Sequence, residues 1–115
     1  VARAHNIRET TQNPLGHAEL LLLKKLSRKE GSWRLPGLSV YVTLEPCLMC
    51  MGALLQTRVE RLVFGAMDPR AGACGSLYNV AQNLRLNHQI RVVSGLFEGQ
   101  ASKLLRDFFK NLRKM

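Results

Sequence analysis

His17, Ala18 and Glu19 are followed by Cys47, thirty positions after His17, and by Cys50 three residues further on. Imidazole and thiolate are preferred ligands of Zn²⁺, and a Cys-x-x-Cys pair on one helix turns both sulfurs the same way. Pro46 precedes the pair and suits the start of a helix, where the partial positive charge of the N-terminus favours thiolate. Three protein ligands, His17, Cys47 and Cys50, leave one tetrahedral position for water, which is the catalytic zinc pattern; a structural site closes with four. Glu19 stands two residues from His17, near enough to handle protons without binding the metal. Each piece alone has an ordinary reading. A lone histidine is a surface or core residue, and a lone Cys-x-x-Cys is a redox pair or half of a structural site whose fourth ligand could be His5 or Cys74.

The elements that must position these residues are legible in the hydrophobic pattern. Asn6 to Gly16 has loop chemistry, with two asparagines, Pro14 and Gly16. His17 to about Lys29 carries Leu20, Leu21, Leu23 and Leu26 at helical spacing, with late cations suited to the negative end of the dipole. Leu38 to Leu44 alternates as a strand, and Cys47 to Gln56 reads as a second helix. Arg61 to Ala66 is a near-continuous apolar strand of the kind buried on both faces of a parallel sheet. Asp68 to Gly75 reads as a loop, Ser76 caps a short helix to about Gln82, Gln89 to Ser94 is a strand, and Glu98 to Leu112 is a terminal helix. Val1 to Ala4 suits the tail of a strand, and Trp33 is expected to anchor the loop before the first full strand. This order predicts a single α/β domain over residues 1–115, layered around a largely parallel sheet.

Composition narrows the partners. Hydrophobic residues make up 46% of the 115 and charged residues 22%, a globular composition that excludes wholesale disorder. Seventeen Lys and Arg against eight Asp and Glu give a net charge of +9, which points to a polyanion, nucleic acid ahead of membrane; the plain alternative is a basic but inert surface. No apolar run approaches the roughly 20 residues of a membrane span, so no membrane partner is expected. Three cysteines do not make a disulfide framework, and with no leader or lipidation signal apparent at Val1 they fit a reducing cytoplasm. Lys103, Arg106, Lys110, Arg113 and Lys114 make the terminal segment basic, so Lys110 and Arg113 are candidates for phosphate contact, with a solvated face as the alternative. Cys74 is read as a space-filling residue, and Met49 and Met51 as packing.

The pattern H-A-E followed by P-C-L-M-C matches the signature of the zinc-dependent nucleobase deaminases. That core is shared with cytidine, guanine and riboflavin-pathway deaminases. Further segments narrow the resemblance: A-H-N (Ala4 to Asn6), Y-V-T-L-E before the P-C motif, R-L-V-F-G-A-M-D-P (Arg61 to Pro69), G-A-C-G-S-L (Gly72 to Leu77), Asn87-His88 and D-F-F (Asp107 to Phe109). With them the chain resembles the bacterial tRNA-specific adenosine deaminases over more than nine-tenths of its length.

The resemblance implies a three-layer α/β/α cytidine deaminase-like fold, one Zn²⁺ per chain, and hydrolytic deamination of adenosine to inosine at the wobble position of a tRNA anticodon. It implies that Glu19 carries the protons and that Asn6 hydrogen-bonds a base flipped into the pocket. Asp68 would contact the sugar or backbone beside it. Of Phe108 and Phe109, adjacent and so on different helix faces, one would pack in the core and the other against the RNA loop. The expected partners are a tRNA anticodon stem-loop and a second copy of the chain, in a cytoplasmic homodimer. Such proteins begin about forty residues earlier, with a helix and a hairpin, so Val1 would fall inside a strand and the chain alone would expose apolar surface and a strand edge. Two alternatives remain: a free base or nucleoside deaminase of the same superfamily, which the charge and the Asn87-His88 and Phe pairs disfavour, and a non-catalytic zinc RNA-binding subunit, which the intact Glu19 disfavours.

Overall fold

A computed structural model describes residues 3–95 together with Gly99, Gln100 and Lys103. Along these residues the chain forms α1 (Arg8–Thr11), α2 (Ala18–Glu30), β1 (Ser39–Leu44), α3 (Leu48–Gln56), β2 (Arg61–Ala66) and β3 (Arg91–Ser94). The strands make one sheet in the order β1-β2-β3, and both pairings are parallel. Val40 lies opposite Leu62, and Leu62 opposite Val92. This is the α/β arrangement that the alternation of elements predicts.

The central strand explains its own sequence. Every residue of β2 after Arg61 is buried, as a strand paired on both sides and covered on both faces must be. Helix α2 buries Leu23 and Leu26 and leaves Lys24, Lys25, Arg28 and Lys29 in solvent. It stops at Gly31, whose left-handed backbone (φ 66°) lets its N–H close on the Ser27 carbonyl. Helix α3 contributes Met51 and Leu54, and these meet Leu23, Leu26, Leu62, Phe64 and Ile90 in one core. Fully burying a side chain of this size contributes about 1.5–3 kcal/mol, which holds both helices against the sheet.

Several local expectations are corrected. Asn6 to Gly16 contains a single helical turn, α1, rather than loop alone. Arg3 and Ala4 are not in a strand. Ser76 to Gln82 is not a helix: Leu77 and Tyr78 donate to the Gly72 carbonyl, Gly75 to the Tyr78 carbonyl, and Cys74 bridges Asn79. The reason is local: Gly75 adopts φ 138°, and the Ser76 hydroxyl is bonded to the Glu45 carboxylate, so it is not free to cap a helix. Trp33 anchors nothing in the core; it is 58% exposed with the Arg34 guanidinium 5.1 Å from its ring centre. Leu35, buried and bonded through its N–H to the Thr57 carbonyl, fixes that loop instead. Most of the expected terminal helix, with Phe108, Phe109, Lys110 and Arg113, lies outside the described residues. Among the described residues no helix is long and apolar enough to cross a membrane.

Candidate metal centre and active site

Because β1 and β2 run parallel, the segments that leave them emerge on the same edge of the sheet. Glu45, Pro46 and Cys47 follow β1, and Met67 and Asp68 follow β2. Ligand sites of open parallel sheets characteristically lie beyond these carboxyl ends. Cys47 is the N-cap of α3 and His17 the N-cap of α2; neither helix has a side-chain cap, so both present free backbone N–H groups and a partial positive charge. Helices α2 and α3 pack on each other through the core, which brings their N-termini together.

The His17 Nδ1 atom lies 3.6 Å from Cys47 Sγ and 3.4 Å from Cys50 Sγ. All three donor atoms fall within 4.8 Å of one another, and among the described residues no fourth His, Cys, Asp or Glu joins them. His5 and Cys74 therefore do not close the set. A tetrahedral zinc with Zn–S about 2.3 Å and Zn–N about 2.0–2.1 Å has an S···N edge of about 3.6 Å, so the spacing of these atoms fits that ion. Burial pushes the Cys50 thiol far up, and Glu19 and Cys47 push it further. At Cys50 this outweighs the help expected from the helix N-terminus, so its thiolate needs a bound cation to offset burial and the Glu19 charge. Cys50 is fully buried, while His17, Cys47 and Glu19 are half-buried, so the cluster is reachable from one side.

The other sequence candidates are placed as follows. The Ile7 N–H donates to the Gly16 carbonyl at 2.8 Å and closes the loop between them, which sets Asn6 beside His17 in the chain's path. Asn6 is exposed; its Oδ1 accepts the Arg8 N–H at 2.9 Å, a turn that leaves the amide NH₂ outside that bond. Asp68 is half-buried at the end of β2, with Oδ1 accepting the N–H groups of Arg70 and Ala71. Cys74 is buried in the core, and burial, then the Glu45 charge, raise its thiol to about 11.

One residue was missed in the sequence reading. Glu45 is 2% exposed and is the one buried charged side chain among the described residues. Its Oε1 accepts the Asp68 N–H at 3.0 Å and the Ser76 hydroxyl; its Oε2 accepts the N–H groups of Cys74 at 2.8 Å and Ser76 at 3.0 Å. Burial alone would raise its pKa, but the Ser76 hydroxyl and the three backbone N–H groups outweigh it and hold the carboxyl below its usual range. The available signal was an acid wedged between an apolar strand and the proline that starts the next helix, a position where solvent is scarce.

The sequence profile of the MafB19-like deaminases matches residues 1–113. The chain is 51% identical over 114 residues to the tRNA-specific adenosine deaminase of Bacillus subtilis (strain 168), a match covering 99% of this chain and 71% of that protein. It is 40% identical over 113 residues to the tRNA-specific adenosine deaminase of Aquifex aeolicus (strain VF5), covering 98% and 74%. A solved structure from a study of A-to-I editing by tRNA:A34 deaminases at the wobble position superposes with a TM-score of 0.84 at 36% identity, over 90% of this chain and 75% of that one. A guanine deaminase from Nitrosomonas europaea superposes with a TM-score of 0.73 at 27% identity, over 91% and 63%.

Proposed function

The chain belongs to the MafB19-like deaminase family, with tRNA-specific adenosine deaminases among its relatives, and from that premise we propose that it converts adenosine to inosine at the wobble position of a tRNA anticodon. The observation that carries this is the convergence of His17, Cys47 and Cys50 with Glu19 alongside, in a chain half identical to an enzyme of that name.

His17, Cys47 and Cys50 hold one Zn²⁺. When bound, zinc supplies the Lewis acidity that makes water a nucleophile near neutral pH. Glu19 takes one proton of the attacking water and delivers it to a ring nitrogen, then takes the second from the hydroxyl so added and gives it to the departing amine, so that water and adenosine become inosine and ammonia. The backbone N–H groups that open α2 and α3, left without side-chain caps, stabilise charge as it develops. Asn6 presents its amide NH₂ to the flipped base, and Asp68, beyond the end of β2, meets the sugar or backbone beside it. Phe108 or Phe109 stacks on the RNA loop, and Lys110 and Arg113 meet its phosphates; the +9 charge supports this reading. The protein acts as a cytoplasmic homodimer. Its three free cysteines suit that compartment.

Incubation with a transcribed anticodon stem-loop bearing adenosine at the wobble position, followed by nuclease digestion and nucleoside chromatography, tests the reading. Inosine is expected. Ammonia released from free guanine, with no inosine in the RNA, would replace this function with base deamination, the activity named for the Nitrosomonas europaea neighbour.

A further inference from the structure

No step above uses Glu45, yet the structure spends more hydrogen bonds on it than on any other described side chain. All four donors come from one segment, residues 68–76, and Asp68 is among them. The backbone around Glu45 is tied on both sides as well. Its own N–H donates to the Ala66 carbonyl at 2.8 Å, the next carbonyl, of Pro46, accepts the Ala73 N–H at 2.9 Å, and Cys47 bridges Gly72. Gly72 has no room for a side chain, because a Cβ there would overlap the Glu45 carboxylate.

We propose that Glu45 is a positioning residue: its carboxylate holds the segment that carries Asp68 and that bridges Cys47 through Gly72, and so fixes the substrate side of the site against the metal side. The proposal rests on the metal reading of Cys47 and the substrate reading of Asp68 given above. A carboxylate is the group this joint needs, since it accepts on both oxygens and donates nothing. In Glu45→Gln one oxygen becomes an NH₂. The amide settles with NH₂ in the Oε1 position, where the Ser76 hydroxyl can reverse and accept from it, while the Cys74 and Ser76 N–H groups keep their oxygen. The Asp68 N–H then faces a donor and loses its bond. Glu45→Gln therefore releases the Asp68 end of the segment alone, whereas Glu45→Ala frees the whole segment, including Gly72, whose backbone bridges Cys47.

The test compares the wild-type chain with both variants by circular dichroism, by the visible spectrum of the Co²⁺-loaded protein, by zinc affinity in a chelator competition, and by affinity and kinetics on the anticodon stem-loop. Glu45→Gln is expected to be folded with the wild-type Co²⁺ spectrum. Its Kd and KM for the stem-loop should rise about 10-fold while kcat stays within about 3-fold, the lower end of what supporting residues around metal sites contribute. Glu45→Ala should weaken zinc binding about 10–100-fold and change the Co²⁺ spectrum. Where Glu45→Ala does not fold, Glu45→Gln decides. The proposal is overturned if Glu45→Gln binds and turns over RNA as wild type does, if it loses kcat with KM unchanged, or if it also fails to fold, which would make Glu45 a core residue only. A wild-type chain that makes no inosine would count against the function above, and the Co²⁺ spectra and RNA Kd values would still decide the role of Glu45.

Discussion

The two segments that deliver the site's residues are built in opposite ways. The approach to His17, residues 3–17, is held almost wholly by its own short-range bonds: Asn6 to Arg8, Thr11 to Ile7, Asn13 to Leu15 and the Ile7–Gly16 closure. Gly16 is its one buried residue. The segment beyond β2, residues 67–76, is held by a carboxylate more than twenty positions earlier in sequence and buries Gly72, Ala73 and Cys74. The Asp68 side of the site is thus continuous with the core, and the approach to His17 is a surface turn. A metal held by His17, Cys47 and Cys50 would tie that turn to α3, and would contribute most there because the turn has least else to hold it.

The largest effects should come from cutting that tie. His17→Ala and Cys47→Ala should each lower zinc content, measured by atomic absorption, from one per chain toward none, with inosine formation at background. Full zinc retention by His17→Ala would show that His17 is only adjacent to the metal. Next comes Glu19→Gln, nearly the same shape but unable to accept and return a proton. Single-turnover inosine formation should fall at least ~10²-fold, with zinc content unchanged. Near-normal rates would assign the protons to another group.

A smaller effect separates the two segments by stability. Gly72→Ala forces a methyl group against a buried carboxylate and should cost about 1–3 kcal/mol, the range for overpacking. Asn13→Ala removes one exposed turn bond and should cost under ~1 kcal/mol. Thermal melts of the two variants would show the difference, and equal shifts would mean that the two segments are held equally firmly. The smallest effect is chemical. With zinc chelated, iodoacetamide should label half-buried Cys47 before the buried Cys74 and Cys50. A thiol raised to about 11 is protonated at neutral pH, so Cys74 labelling should climb as pH rises toward that value, and rapid labelling at pH 8 would show that its segment opens.

How much of this could be read from the sequence differs along the same line. His17, Cys47 and Cys50 were legible because ligand chemistry admits few residue types and the spacing repeats a known signature. The strands around Val40 and Leu62 were legible because their period, or their unbroken apolar run, reports burial directly. The Ser76 segment was misread as helix. A serine before an apolar stretch is a sound local cue for a cap, but Glu45, thirty-one residues away, claims both its hydroxyl and its N–H. Glu45 went unassigned for the same reason, since its four donors are backbone and hydroxyl groups that only the parallel pairing of β1 and β2 brings within reach. Trp33 shows the reverse error: a large aromatic residue was expected to be an anchor, and the chain spends Leu35 on that task.

The Glu45 carboxylate also bears on how the site opens and closes over time. Its bonds come from three residues of one segment, and releasing any of them leaves charge facing an apolar interior until water enters. Partial detachment is therefore the costly state, and residues 68–76 should leave and return as one cooperative unit. The amide hydrogens of Asp68, Cys74 and Ser76 should then exchange with solvent at one common rate. Those in the turn before His17 should fray one at a time and exchange sooner, so the histidine side would sample open forms many times for each opening of the Asp68 side.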